Sequence, residues 1–197
     1  DEYLDFVYDL LDNKAYMHAG MKFDELFASQ PYDSRAADPN SDIPRYQFGV
    51  VDRFEDFCSL QQAKEEEVGL SRMTAGFAWK WETKNNKDAF DIVIEGIPKR
   101  WNSSQKDWVN SPNAVNEVGC IHTVQGYDLN YGFVILGPDI YYDNDKGVVC
   151  VNKTNFKDAV AKKKASDNDL RKIIVNAYYV LMTRGMPGTF LYVCDPA

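Results

Sequence analysis

Glu117-Val-Gly-Cys-Ile-His-Thr-Val-Gln-Gly-Tyr-Asp-Leu-Asn-Tyr-Gly-Phe-Val-Ile-Leu136 is the stretch that decides the fold. It opens apolar, reaches His122, passes through the polar pair Gln125-Gly126 and Asp128, and turns apolar again in Phe133–Leu136. Short apolar runs rich in Val and Ile are strands buried on both faces. The spacing therefore predicts a strand ending at His122, a polar connection, and a second strand. Polar side chains that emerge at the edge of a parallel sheet sit where α/β proteins place ligands. Gly126 allows a close backbone approach or a positive φ. His122 fits equally a hydrogen-bonded buried imidazole, and Asp128 a turn cap.

A second block lies about fifty residues on. Leu170, Ile173, Ile174, Ala177, Tyr178 and Leu181 recur with a 3.6-residue period, which predicts a helix over about 167–184. Gly185 and Gly188 flank its end, and Thr189–Val193 reads as a buried strand. Arg184 stands at the junction. A guanidinium there offers five fixed donors and keeps its charge. In phosphoryl transfer such an arginine neutralises charge on the γ-phosphate and contributes roughly 10³–10⁵ in rate. It equally fits a cation at a helix C-terminus.

The rest of the chain is consistent with one α/β domain over 1–197. Residues 2–11 predict an amphipathic helix. Residues 12–45 read as a loop-rich excursion with a short helix near 23–28. Tyr46–Val51 predicts a strand, and 53–68 a helix capped by Asp52 and ended by Gly69. Ser71–Trp79 and Phe90–Glu95 predict strands separated by a turn at 84–87. Residues 141–151 predict a hairpin turning at Asn144–Gly147, and 155–164 a polar helix.

Phe77, Trp79, Trp81, Trp101 and Trp108 form an aromatic set. They fit either a stacking platform for single-stranded bases, worth roughly 1–3 kcal/mol per base, or ordinary core packing. Packing is the better reading for Phe77 and Trp79; for Trp101 both stay open.

Composition narrows the function. The net charge is −8, and Lys162-Lys-Lys164 is the densest basic cluster, so the chain by itself is expected to bind nucleic acid weakly. Four widely spaced cysteines form no CxxC pair, which argues against zinc and for buried reduced thiols in a cytoplasmic setting. No apolar run approaches a membrane span. The acidic start, Asp1-Glu-Tyr-Leu-Asp, lacks both a basic n-region and an initiator Met, so we expect a piece of a longer protein.

The two blocks resemble motifs V and VI of superfamily 1 helicases. His122, Gln125, Gly126, Asp128 and Leu129 fill H-x-x-(K/Q)-G-x-(E/D)-(F/L) in order, and Thr183-Arg184-Gly185 resembles the T-R-(A/G) signature. More narrowly, 69–81, Trp101-Asn102 and the two blocks resemble the Schlafen group 3 type DNA/RNA helicase-like domain, over roughly 53–195 and the N-terminal helix. The resemblance implies a RecA-like three-layer α/β domain with a mostly parallel central sheet, its motif blocks within 117–195. It implies Arg184 as a catalytic arginine finger and Gln125, Gly126, Asp128 and Thr183 at ATP. His122 and Thr123 would face a nucleic-acid strand or the domain interface, with Trp101 added from the aromatic set.

No G-x-x-x-x-G-K-(S/T) occurs in the sequence, so ATP and Mg²⁺ need a P-loop RecA-like domain supplied from N-terminal sequence, and the chain alone is expected to be inactive. Single-stranded DNA or RNA is the implied partner. An ATP-driven switch that moves no nucleic acid, and a non-catalytic interaction module of the same fold, are the alternatives.

Overall fold

The computed structural model describes residues 2–12, 46–104 and 106–194. The excursion expected over 12–45 lies, but for its first residue, outside them. In chain order the elements are α1 (Glu2–Asp12), β1 (Gln47–Val50), α2 (Phe54–Val68), β2 (Ser71–Ala75), β3 (Ile92–Ile94), β4 (Ile97–Lys99), β5 (Val118–Gly119), α3 (Ile121–Val124), β6 (Leu129–Leu136), β7 (Ile140–Asp143), β8 (Val148–Val151), α4 (Ala159–Lys164), α5 (Asp167–Met182) and β9 (Gly185–Val193). Five strands form one parallel sheet in the order β1-β9-β6-β2-β5. The pairs β3–β4 and β7–β8 are antiparallel hairpins.

The sheet is covered on both faces, giving the three-layer α/β domain with a parallel central sheet. Against one face α2 sets Phe54 and Phe57 on Met73, Phe133 and Tyr192. Against the other, α1 and α5 bury Tyr3, Phe6, Leu170, Ile174 and Tyr178 with Val134 and Leu191. The helical period of α5 thus becomes a buried stripe: Leu170, Ile174, Tyr178 and Leu181 are inside, while Ile173 is exposed.

Several boundaries move from the sequence expectation. Strand β2 stops at Ala75 rather than Trp79, so Phe77 and Trp79 lie beyond the sheet. The expected strand at 90–95 is a short hairpin arm paired with β4. Asp52 does not cap α2; Glu95, forty-one residues away, accepts from the Phe54 N–H at 2.8 Å. Gly69 does end the helix, with φ 70° and its N–H on Glu65 O. The hairpin turn at 144–147 forms with Gly147 at φ 64°. The helix expected from 155 begins at Ala159, where the Asp158 carboxylate accepts from two backbone N–H groups.

A buried polar link ties α5 to the end of β6. The Tyr178 hydroxyl donates to Asp139 at 2.5 Å and accepts from the Gly137 N–H at 3.0 Å. Burial pushes the Asp139 carboxyl up to about 6 from 3.8, against the lowering effect of the Tyr178 hydrogen bond. Because the folded-state value is raised, the protonated acid stabilises the fold below the unfolded pKa, and that contribution is lost as pH rises through about 6. The difference of two units converts to about 3 kcal/mol at 1.36 kcal/mol per unit. Denaturant titrations at pH 4 and pH 7 should show Asp139→Asn gaining about 2–3 kcal/mol relative to wild type over that interval. Parallel pH profiles of the two proteins would exclude this role.

Candidate functional site

Strands β6 and β9 are the third and second strands of the sheet and share its most extensive pairing, Leu129↔Gly185 through Leu136↔Val193. At the amino-terminal edge of this pair the two sequence blocks meet. The Leu129 N–H donates to the Arg184 carbonyl at 2.9 Å. The register then slips: two steps on β6, Leu129 to Tyr131, match three on β9, Gly185 to Gly188. This β-bulge turns Met186 and Pro187 outward and both are exposed. It also requires glycine. A Cβ on Gly185 would lie 2.0 Å from the Gly188 carbonyl oxygen and 2.9 Å from Gly132 N. The two glycines expected to flank the helix end therefore shape the strand after it.

Arg184 is half-buried at this edge. Its Nε donates to Val180 O at 3.2 Å, in the last turn of α5, and Nη2 approaches Thr183 Oγ1 at 3.5 Å. Thr183 in turn donates to Val180 O at 3.1 Å. Part of the guanidinium serves the helix C-terminus, as a cation there does. Among the described residues it makes no ion pair. Gln125, Gly126 and Asp128 are exposed immediately before β6. Gly126 has φ 87° and open space where a Cβ would be.

The loop does not all emerge at one edge. The strand expected to end at His122 ends at Gly119, and Ile121–Val124 form the one-turn helix α3. His122 therefore sits at the carboxyl edge, after β5, while Gln125–Asp128 have returned to the amino edge before β6. Thr123 is 7% exposed and its hydroxyl is spent on Cys120, accepting from N–H at 3.0 Å and donating to the carbonyl at 2.9 Å. It offers nothing outward.

His122 lines a groove of about 880 Å³ at the carboxyl edge, with Phe77, Trp79 and Trp81 beside it and Lys84, Lys157 and Lys164 around it. Phe77 and His122 stand 5.7 Å apart between ring centres. Trp101 is 1% exposed, packed under Phe77, Trp79 and Trp81 at 6.0–6.3 Å. Its ring faces support the groove from below and are closed to a stacking base. Among the described residues no group of three His, Cys, Asp or Glu could hold a metal, and no helix is long and apolar enough to cross a membrane.

A family model described as "Schlafen group 3, DNA/RNA helicase domain" matches residues 23–195. The chain belongs to this family. It is helicase-like at that level of description. An uncharacterized protein, YPL245W of Saccharomyces cerevisiae, is 29% identical over 180 residues, which are 84% of this chain and 39% of that protein. The chain thus spans about two fifths of the length of the curated relative it matches. No solved structure matches it.

One contact of this Schlafen-type domain has no sequence signature. Asp107, in left-handed conformation at φ 53°, accepts from the Tyr127 hydroxyl at 2.9 Å and from Asn110 Nδ2 at 2.7 Å. It anchors the middle of Gly126-Tyr127-Asp128 to the irregular 101–116 segment. The neighbouring carboxylate also raises the Tyr127 phenol. An Asp twenty residues upstream in an irregular stretch gives no local pattern to read.

Gly185→Ala should cost about 1–3 kcal/mol or more through backbone overpacking. Gly126→Ala, with free space but positive φ, should cost about 1–2 kcal/mol. Thermal melts of the two variants check the order; equal melting temperatures would contradict the bulge constraint.

Proposed function

We propose that this chain is the second RecA-like motor domain of an ATP-dependent DNA or RNA helicase or translocase. In this reading Arg184 is the arginine finger, and Gln125, Gly126, Asp128 and Thr183 face the nucleotide. ATP and Mg²⁺ are held by a P-loop RecA-like domain outside these 197 residues, which carry no P-loop signature of their own. The observation that carries the reading is the 2.9 Å bond from Leu129 N–H to Arg184 O. It puts a polar glycine loop and an arginine that makes no ion pair among the described residues side by side at one sheet edge.

That pairing suits phosphoryl transfer. The transition state spreads negative charge over the γ-phosphoryl oxygens, so catalysis is mostly positioning and charge neutralisation. Arg184 can supply charge without a protonation step, and its backbone is fixed by β9. Gly126 lets the loop approach the phosphates closely. The aromatic groove beside His122 suits a single strand, since bases stack on aromatic rings and lysines contact phosphates. Trp79 and Trp81, both half-buried, are the stacking surfaces, with Phe77 behind them.

A second reading, an ATP-driven switch that moves no nucleic acid, is favoured by the net charge of −8. Association with polyanions depends on positive charge. The groove itself sets Lys84, Lys157 and Lys164 beside Asp158 and Asp169, so its local excess of positive charge is small.

ATP hydrolysis by the longer protein, with and without single-stranded DNA or RNA, separates the readings. The motor reading expects stimulation by the strand and a loss of roughly 10³-fold or more in Arg184→Ala with the fold intact. Hydrolysis indifferent to nucleic acid assigns the switch. Hydrolysis unchanged in Arg184→Ala removes the arginine-finger role and leaves an interaction module.

A further inference from the structure

The last carbonyls of a helix have no partner within it. Helix α5 ends at Met182, two residues before Arg184. No residue of the turn that follows has the positive φ that often closes a helix. Three hydroxyls from distant parts of the chain close it instead. Tyr3, on α1, donates to Met182 O at 2.8 Å, and Thr189, on β9, donates to the same oxygen at 3.0 Å. Tyr46, the residue before β1, donates to Gly185 O at 3.2 Å and stands 2.6 Å from Thr189 Oγ1. The two carbonyls held in this way bracket Thr183 and Arg184.

The protons can be counted. With Tyr3 donating to Met182 O, two protons remain for the other three contacts, in one of two arrangements. Either Thr189 donates to Met182 O and Tyr46 to Thr189, or Thr189 donates to Tyr46 and Tyr46 to Gly185 O. Met182 O keeps a donor in both, and in the second both carbonyls are held. The cluster is inside the protein: Thr189 is fully buried, Tyr3 nearly so, and the Tyr3 and Tyr46 rings stack at 4.0 Å. Burial raises both phenols, Tyr46 to about 12, so each keeps its proton as a donor near neutral pH. Hydrogen bonds are stronger in such surroundings than in water.

The consequence falls on Arg184. The Leu129 N–H holds its carbonyl at 2.9 Å, so backbone oxygens are fixed at 182, 184 and 185. The guanidinium itself has longer contacts, 3.2 Å to Val180 O and 3.5 Å to Thr183 Oγ1. Its aim therefore depends on the backbone that carries it. A displacement of about 1 Å at a reacting group can cost roughly 10² in rate.

We propose that Tyr46 and Thr189, with Tyr3, are positioning residues for Arg184: they fix the turn from which its guanidinium reaches the γ-phosphoryl group. The proposal rests on the motor reading of Arg184. None of the three lies in either sequence block that resembles a helicase motif, and they join the site only through the fold.

The test is steady-state ATP hydrolysis by the longer protein in Tyr46→Phe, Thr189→Val and Thr189→Ser. Tyr46→Phe keeps the ring that stacks on Tyr3 and removes only the hydroxyl. Thr189→Val keeps the shape and loses the hydroxyl; Thr189→Ser does the reverse. Tyr192→Phe is the control, since it removes a tyrosine hydroxyl bonded to Glu95 at 3.0 Å at the other end of β9. We expect kcat to fall about tenfold or more in Tyr46→Phe and Thr189→Val, with KM for ATP unchanged. Thr189→Ser and Tyr192→Phe should stay near wild type. In an Arg184→Ala background Tyr46→Phe should cost nothing further, because the group it positions is gone. Thermal melts identify any variant lost to unfolding, and Tyr46→Phe tests the hydroxyl even if Thr189→Val does not fold. Unchanged kcat in Tyr46→Phe overturns the proposal. So does a fall in Thr189→Ser as deep as in Thr189→Val, or an equal cost of Tyr46→Phe without Arg184; the hydroxyls then only close the helix. Failure of the motor reading has a different signature, hydrolysis unchanged in Arg184→Ala itself, and it removes the proposal by leaving nothing to position.

Discussion

The pairing of β6 with β9 is the constraint on which the rest of the domain depends. Both strands are interior to the sheet, and their faces carry Phe133 and Phe190 against α2 and Val134 and Leu191 against α5. Parallel pairing obliges the two amino-terminal ends to lie at one edge. That geometry is why residues more than fifty positions apart, Gly126–Asp128 and Arg184, become neighbours. The bulge at Gly185–Gly188 is the local consequence: an extra residue on β9 lets the chain leave α5, place Arg184, and still join the ladder.

Much of this was legible in the sequence, and the part that was not has a physical cause. Helices α1 and α5 and the strand Phe133–Leu136 were readable because each buries one apolar face or both, and burial writes a period into the chain. The hairpin turn at 144–147 and the stop at Gly69 were readable because glycine alone adopts those φ values at little cost. The alternation Phe77, Trp79, Trp81 misled, since it looks like a strand. It arises because all three rings pack on the buried Trp101, a contact that needs no strand. The Glu95 cap on α2 and the Asp107 bond to Tyr127 join residues twenty or more positions apart, and no local rule announces them.

The polar residues of the candidate site form one run in the sequence, but the run does not say which edge of the sheet each residue reaches. Polar residues after an apolar run are expected to emerge at the edge of the sheet. The one-turn helix α3 separates them, leaving His122 at the carboxyl edge and carrying Gln125 to Asp128 back to the other. Four helical residues advance roughly 6 Å at 1.5 Å each, and the extended residues after them complete the return. Thr123 holds this short helix, since its hydroxyl bonds both N–H and carbonyl of Cys120. A threonine matched to a strand-facing role is thus committed to holding the turn that faces His122 outward.

This arrangement bears on how a helicase-like domain could link two ligands. His122 belongs to the aromatic groove, Gly126 and Asp128 to the arginine edge, and only Thr123, Val124 and Gln125 lie between His122 and Gly126. Val124 is fully buried and the Thr123 hydroxyl is bonded to Cys120, so α3 is fixed at its start. The glycine after it has positive φ and open space around it. The Tyr127–Asp107 bond holds the following residue to the irregular segment before β5. In the proposed motor, a strand at one edge and a phosphate at the other would be joined by one helical turn, held at its start by the Thr123 hydroxyl on Cys120 and followed by a glycine at positive φ.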